Sequence, residues 1–460
     1  MKKQLLTAAI LCCFVIAGST AAPKSAKKKP KIPVSRVQTH MDGYLGDRID
    51  ACIRVRVCSE DPDLLVAPMR RQTETSLWQS EFWGKWTLGA IASYRYNKDP
   101  ELLRKIEGGV ESLLVTQQPD GYIGNYAPEA QLTNWDVWGR KYTMLGLLAY
   151  YDLTGDKKAL DGTVRLADHL LTQIPAVRQI ERTGIYRGMS SCSILEPIML
   201  LYNRTLDEKY LDFARYIVDR MESADGPQLI AKALDGVPVS ERFPLDDPSR
   251  GWFVWENGQK AYEMMSCYDG LLELYKVTND PRYLKAVEAT VTSIIADEIN
   301  IAGSGSSFEC FYKGKALQTE PAYHTMETCV TMTWMKLCYD LLRLTRNPLY
   351  ADQIERSAYN ALAASMKEDA SQIAKYSPLE GARSAGEEQC GMHVNCCNMN
   401  GPRAFALLPE AAVTDYGDEL FVNLYGPMSS TVRLDGGEVL LEQATSYPEQ
   451  GVASISLPMR

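Results

Sequence analysis

The sequence has no excess of basic residues: Lys and Arg number 49 against 58 Asp and Glu, a formal net charge of −9. No basic stripe is long enough to neutralise a run of phosphates, which excludes nucleic acid as a partner. Heptads and low-complexity tracts are also missing. With 45% hydrophobic and 23% charged residues the composition is ordinary for a folded protein, so wholesale disorder, collagen and coiled coil are excluded. Past the first two dozen residues no apolar run approaches the roughly 20 residues of a membrane-spanning helix, so no membrane span is expected.

The one long apolar run, Leu5 to Ala17, follows Lys2 and Lys3 and precedes the small residues Ser19 to Ala22. That order predicts a secretory signal peptide over 1–22. The basic stretch that follows, 23–32, reads as a disordered leader. Cys12 and Cys13 sit inside the run, but Ala9, Ile10 and Leu11 do not supply the small residue expected just before a lipidated cysteine. The expectation is an exported, periplasmic protein rather than a surface lipoprotein. Ten of the twelve cysteines remain after cleavage, and export makes disulfides the default reading. The vicinal pair Cys396-Cys397 is poor disulfide geometry, however, and a chain with a large core has little need of staples.

A pattern repeats through the middle of the chain: an aromatic-rich apolar helix, a short turn with Asp or Asn, and an amphipathic helix. It is plainest at Leu147–Leu160 and Leu271–Leu284, with variants at Tyr94–Leu103, Leu200–Leu211 and Leu341–Ala351. The Asx residues cap the second helix, and Pro100, Pro281 and Pro348 fall in its first turn, where proline is tolerated. At least five irregularly spaced helical hairpins over 33–411 predict a mainly α protein, a toroid of paired helices or (α/α) barrel rather than a stacked solenoid, with a short extended segment and a first helix within 33–60. From 412 to 460 the pattern turns to β-strands around Asp435-Gly436-Gly437. Three or four strands are thin for a β-sandwich, so this region reads as the start of one, with a small sheet packed on the barrel as the alternative.

Groups able to bind a metal crowd late in the chain: Glu309-Cys310, His324, Glu327-Thr328-Cys329, Cys390, His393 and Cys396-Cys397. On a regular helix Glu327 and Cys329 point about 200° apart, so joint ligation requires Glu327 to precede the helix that Val330–Leu344 begins. Cys396-Cys397 similarly needs irregular backbone, for which Asn395, Asn398, Asn400, Gly401 and Pro402 offer turn chemistry. One carboxylate with three thiolates suits Zn²⁺ better than Mg²⁺ or Ca²⁺. The plain alternative is that these cysteines are small buried hydrophobes.

Glu327-Thr328-Cys329 at a helix head, Cys396-Cys397 followed by Asn400 and Arg403, and Lys260–Ser266 before Gly270-Leu271-Leu272 resemble glycoside hydrolase family 127, the bacterial β-L-arabinofuranosidase-like enzymes. The resemblance runs from Asp42–Gly46 to the strands. It implies an (α/α)6 barrel joined to a β-sandwich, a zinc ion held by Glu327, Cys329, Cys396 and Cys397, Cys396 as nucleophile and Glu309 as acid/base. A thiolate is what attack on an anomeric carbon needs, and zinc would keep the cysteine ionised. Glu263 is the rival carboxyl, with a substrate-orienting or structural reading.

The chain departs from that family in histidine. It has only His40, His169, His324 and His393, and Tyr142 and Lys260 stand where histidines are expected. Tyr142, Lys260 and Arg403 become the candidate substrate-binding residues, and Arg140, Lys141, Lys260 and Arg403 suit a carboxylate by charge-assisted hydrogen bonds. The expected substrate is a plant cell-wall oligosaccharide bearing arabinose or an acidic pectic sugar such as aceric acid. Trp83, Trp86, Trp135, Trp138, Trp252, Trp255 and Trp334 are candidates for sugar stacking, with core filling as the alternative. Gln117–Gly124 reads as rim. The competing functions are a carboxylate-based (α/α)-barrel uronyl hydrolase and a glycan-binding protein with a structural zinc site.

Overall fold

The computed structural model describes residues 36–243, 259–318, 324–417, 419–434 and 437–458. The expected signal peptide and leader, Cys12, Cys13, Trp252 and Trp255 lie outside them.

The five expected hairpins share one turn. The first helix of each (Ser80–Asn97, Asp136–Thr154, Leu195–Thr205, Ala261–Thr278 and Thr328–Thr345) ends on a residue with left-handed φ: Lys98, Gly155, Leu206, Asn279 and Arg346. The next residue, Asp99, Asp156, Asp207, Asp280 or Asn347, is extended and caps the following helix by accepting the N–H two positions on. In each turn the side chain two residues before the cap (Asn97, Thr154, Thr205, Thr278 or Thr345) accepts that residue's own N–H, so the reversal is closed by local side-chain bonds. The second helices are Pro100–Leu114, Lys157–Gln173, Glu208–Met221, Pro281–Asp297 and Pro348–Ser357.

The first helices are buried nearly all round and the second ones along a single stripe, the division expected of inner and outer layers. The five inner helices pack in sequence order, and a sixth, Cys396–Ala412, packs against both Thr328–Thr345 and Ser80–Asn97 and closes the ring. Gly43–Cys52 packs against this sixth inner helix, so the first helix of the barrel partners the last. Helices Ser80–Asn97 and Asp136–Thr154 approach closely at two glycines. A Cβ on Gly84 would meet the Tyr142 carbonyl oxygen at 2.3 Å, and one on Gly139 would meet Ser80 Oγ at 1.9 Å. This contact sets Glu81 and Lys85 beside Trp138 and Tyr142. Trp83, Trp86 and Trp334 are core. Trp83 and Trp86 each donate an indole N–H to a backbone carbonyl, of Gly109 and Val57 respectively.

A four-stranded antiparallel sheet runs in the order Val37–Met41, Met428–Leu434, Gly437–Thr445, Ala453–Ser456, and Val413–Tyr416 pairs with Glu419–Val422 as a separate ribbon. The segment before the barrel therefore adds an edge strand to the later β-region, Thr39 facing Ser430 in register. No helix among the described residues is long and apolar enough to cross a membrane. The ten cysteines from Cys52 to Cys397 are all free thiols, so the default disulfide reading is corrected: eight of them are buried, packed in the helical core or in the site below, and Cys58 and Cys390 are half-buried.

Candidate active site

Glu327 is the N-cap of Thr328–Thr345, with extended ψ of 132°, and Cys329 is the second helical residue. The backbone break required for both to face one point is therefore a helix start, pinned by Thr328, which donates its N–H to Lys375 O and its hydroxyl to Ala374 O. Cys396 and Cys397 open the sixth inner helix behind the extended N-cap Asn395. Asn395 Oδ1 accepts the N–H groups of Cys397 and Asn398, each at 3.0 Å, and Gln389 Oε1 accepts that of Cys396 at 2.9 Å. The turn expected through Asn400, Gly401 and Pro402 is corrected: the irregular backbone ends at Asn395, because the capping box with Asn398 satisfies the free N–H groups and lets the helix run on.

Two helix N-termini thus bring Glu327, Cys329, Cys396 and Cys397 together, their ligand atoms all within 4.8 Å of one another and all four residues buried. Cys397 Sγ lies 3.4 Å from Cys329 Sγ and 3.9 Å from Cys396 Sγ, and Glu327 Oε1 lies 3.5 Å and 3.6 Å from the Sγ atoms of Cys396 and Cys397. The other carboxylate oxygen of Glu327 is buried with no hydrogen-bond partner. A buried carboxyl half unpartnered among three sulfurs is a donor set that could hold a metal ion. Hydrogen bonds from the Cys329 and Cys397 thiols, opposed by burial and helped by the Lys375 and Lys85 ammoniums, hold Cys396 well below the usual thiol range, whereas burial pushes Cys329 and Cys397 up.

Cys396 and Glu327 open onto a pocket of ≈ 320 Å³ at one end of the barrel, whose walls also carry Trp78, Trp135, Trp138 and Tyr186. Cys329 and Cys397 are not on its wall. Glu309 is. Its backbone has a left-handed φ of 64°, in a loop where Ser306, Phe308, His324 and Met326 are also at positive φ. The loop is tied to the head of Ala261–Thr278 by the bonds Ala261 N–H to Glu309 O and Phe311 N–H to Gln259 O. That places the Glu309 carboxylate between Lys260 Nζ and Lys375 Nζ, the latter at 3.2 Å, with Tyr376 Oη donating at 3.3 Å. Burial pushes Glu309 up, but Lys260 and Lys375 outweigh it and hold the carboxyl below its ordinary value. Glu263 lines the same pocket with one carboxylate oxygen buried and unpartnered, and burial pushes it up.

Lys260 is on the pocket wall, whereas Tyr142 and Arg403 stand one layer behind it. Tyr142 Oη bonds Tyr262 Oη, which accepts Asn400 Nδ2 at 3.1 Å, while Arg403 Nη1 donates to Asn400 Oδ1 at 2.7 Å. Both therefore support Tyr262, which does face the pocket. Arg140 is buried in a pair with Asp136, Nη2 to Oδ2 at 2.6 Å, and Lys141 lies in the core over the Trp138 ring. His40, His169, His324 and His393 are absent from the pocket wall, as are the residues of Gln117–Gly124.

Sequence reasoning missed Trp78, Glu81, Lys85, Tyr186 and Lys375. A signal existed for Glu81 and Lys85, which are four residues apart in an otherwise apolar helix and pair at 2.7 Å while almost fully buried. Charges on a helix buried all round belong to a polar interior. For Lys375 and Tyr186 no sequence signal exists, since both lie in loops.

Residues 47–410 match the family model described as β-L-arabinofuranosidase, GH127 catalytic domain. A non-reducing end β-L-arabinofuranosidase of Bifidobacterium longum subsp. longum is 21% identical over 412 residues, covering 81% of this chain; the chain spans only 61% of that relative's length. Among solved structures, a GH127 β-L-arabinofuranosidase from Geobacillus stearothermophilus T6 superposes with a TM-score of 0.69 at 22% identity, over 91% of this chain and 72% of its own. A second GH127 β-arabinofuranosidase gives 0.67 at 21% identity, over 92% and 69%. These structural likenesses carry the barrel and its β-region.

Proposed function

The chain belongs to the GH127 β-L-arabinofuranosidase family, and from that premise we propose that it is a retaining exo-glycosidase with Cys396 as nucleophile, Glu309 as acid/base and zinc held by Glu327, Cys329, Cys396 and Cys397. The observation that carries the reading is an asymmetry within the cysteine cluster. Of its three sulfurs, Cys396 alone is on the wall of the pocket that Glu309 also lines.

The donor set fits zinc. With Zn–S near 2.3 Å and Zn–O near 2.0 Å, a regular tetrahedron has S···S edges of about 3.8 Å and S···O edges of about 3.5 Å. Four of the six corresponding separations here are 3.4 and 3.9 Å, and 3.5 and 3.6 Å, and none of the six exceeds 4.8 Å. Bound zinc supplies the positive charge that keeps buried thiols ionised and guards them from oxidation.

The residues then divide the work. Cys396 Sγ attacks the anomeric carbon as the glycosidic C–O bond breaks, and the departing oxygen takes the proton of Glu309. In the second half Glu309, now a carboxylate, removes a proton from water. The water oxygen displaces Cys396 from the anomeric carbon, returning a thiolate and a sugar of retained configuration. Trp78, Trp135, Trp138 and Tyr186 offer faces for a sugar ring and exclude water.

An acidic terminal sugar suits this pocket better than a neutral one. Lys85, Lys260 and Lys375 all reach the wall. In the free site Lys260 and Lys375 hold Glu309 ionised, yet the first step needs its proton. A substrate carboxylate that draws one of these lysines away restores the proton to Glu309, so the charge of the sugar arms the acid. In this reading the protein is exported and trims arabinose-like or acidic residues, aceric acid among them, from pectic oligosaccharides. The test is release of monosaccharide from oligosaccharides ending in an acidic or a neutral L-sugar, with the product anomer followed by NMR. Faster release of the acidic sugar as the retained anomer is expected.

Glu263 favours a second reading, in which Glu263 and Glu309, both on the pocket wall, hydrolyse the bond without the thiolate. Activity surviving in Cys396→Ala would select it.

A further inference from the structure

The wall that separates the active-site pocket from its surroundings has two sides. Segments 324–328 and 374–377 are bonded to each other through Ser377 N–H to Thr325 O and Thr328 N–H to Lys375 O. Glu327 and Lys375 face the active-site pocket, whereas Met326 and Ser377 face a separate open hollow of ≈ 530 Å³. An adjoining hollow of ≈ 400 Å³ shares Lys367, Gly381 and Arg383 with the first, so the two form one elongated groove.

Its charge runs against that of the molecule. In a chain with a net charge of −9, the charged residues along the groove, among the described residues, are Arg48, Lys367 and Arg383 against Glu368. At one end stands an aromatic platform. Tyr44 is 45% exposed, its ring stacks on that of Tyr359 at 6.1 Å, and the Arg48 guanidinium lies 5.1 Å from its centroid. Tyr359 is braced by its hydroxyl on Tyr425 O at 2.9 Å and by the edge of Tyr447. Arg48 and Arg383 are braced by the Met366 and Ala364 carbonyls. The Ser377 hydroxyl is buried on this wall without a hydrogen-bond partner. A sugar ring stacks on an exposed tyrosine face, and carboxylates spaced along a glycan chain meet guanidinium and ammonium groups.

We propose that this groove is a second carbohydrate site, separate from the active-site pocket, that binds an acidic oligosaccharide chain with a ring on Tyr44 and its carboxylates along Arg48, Lys367 and Arg383. The proposal stands on the groove itself and holds whichever residue is the nucleophile.

The test uses the full chain, with hexagalacturonate and a neutral hexasaccharide as probes in calorimetric titration, against the double variant Lys367→Ser/Arg383→Ser and the single variant Tyr44→Ala. Hexagalacturonate is expected to bind the unaltered protein and to bind the double variant at least about tenfold more weakly, as loss of charge-assisted bonds implies. Hydrolysis of a small aryl glycoside should be unchanged, and the neutral probe should bind at least about tenfold more weakly than the acidic one. Equal hexagalacturonate affinity in the unaltered protein and the double variant would overturn the site, placing any binding in the active-site pocket. Equal affinity for the neutral probe would overturn its charge. All three altered side chains are exposed, so matching melting temperatures check the fold independently.

Discussion

Cys397 Sγ stands 3.4 Å from Cys329 Sγ, on neighbouring inner helices whose N-termini lie side by side. That is far beyond a disulfide bond of about 2.05 Å and close to the edge of a tetrahedron built on one cation. Two buried thiols placed so near each other, with half of the Glu327 carboxylate unpartnered beside them, have a physical reason to persist if a metal draws them together.

A four-residue zinc site predicts one zinc per chain by elemental analysis. Cys329→Ala and Cys397→Ala should each reduce that content by more than half and lower the melting temperature, because binding free energy at a closed site is folding free energy. Cys390→Ala, outside the cluster, should leave zinc unchanged. Stoichiometric zinc in Cys397→Ala would contradict the four-residue site.

Lys260 and Lys375 depress the Glu309 carboxyl against the opposing effect of burial. The first step needs Glu309 protonated, so kcat/KM falls as pH rises through its pKa, and a depressed pKa sets that fall at low pH. Lys260→Met removes one of the two depressing charges and leaves burial in place. The alkaline limb should then move upward by about one pH unit. A limb that stays in place or moves to lower pH would separate Glu309 from the titration.

A different cluster underlies stability. Lys336 Nζ lies 3.0 Å from Glu196, 3.1 Å from Asp269 and 3.0 Å from Asp340, joining three inner-helix carboxylates around one ammonium. Lys336→Met leaves those carboxylates facing one another with little water, which should cost about 3–5 kcal/mol in denaturant unfolding. Asp340→Asn, which keeps the ammonium and two carboxylates, should cost less. The reverse order would show that Lys336 is not the centre of the cluster.

Much of this molecule was legible because its signals are local. Each inner-to-outer turn is closed by side chains within a few residues, as Thr278, Asn279 and Asp280 show, so five hairpins could be read from the chain. Glu327 as a residue just outside a helix followed from the requirement that it share a point with Cys329. What could not be read depends on rotation and distance. Tyr142 and Lys260 both looked like pocket residues, but only the turn of each helix decides that Lys260 faces the pocket while Tyr142 backs Tyr262. Lys375 reaches Glu309 from a loop 66 residues away in sequence, a separation at which no periodicity speaks. The edge strand Val37–Met41 joins the β-region for the same reason: pairing with Met428–Leu434 has no local signature.

Cys396 is the centre of the account, and the direct test is to trap it. The protein should be incubated with a haloacetamide analogue of L-arabinofuranose and with its carboxylated counterpart, then weighed intact and mapped by peptide sequencing, with Cys396→Ala in parallel. The account predicts a single adduct on Cys396, faster with the carboxylated analogue, and a fall in turnover of at least about a thousandfold in Cys396→Ala. An adduct on Glu263 or Glu309, with Cys396→Ala still turning over substrate, would contradict it.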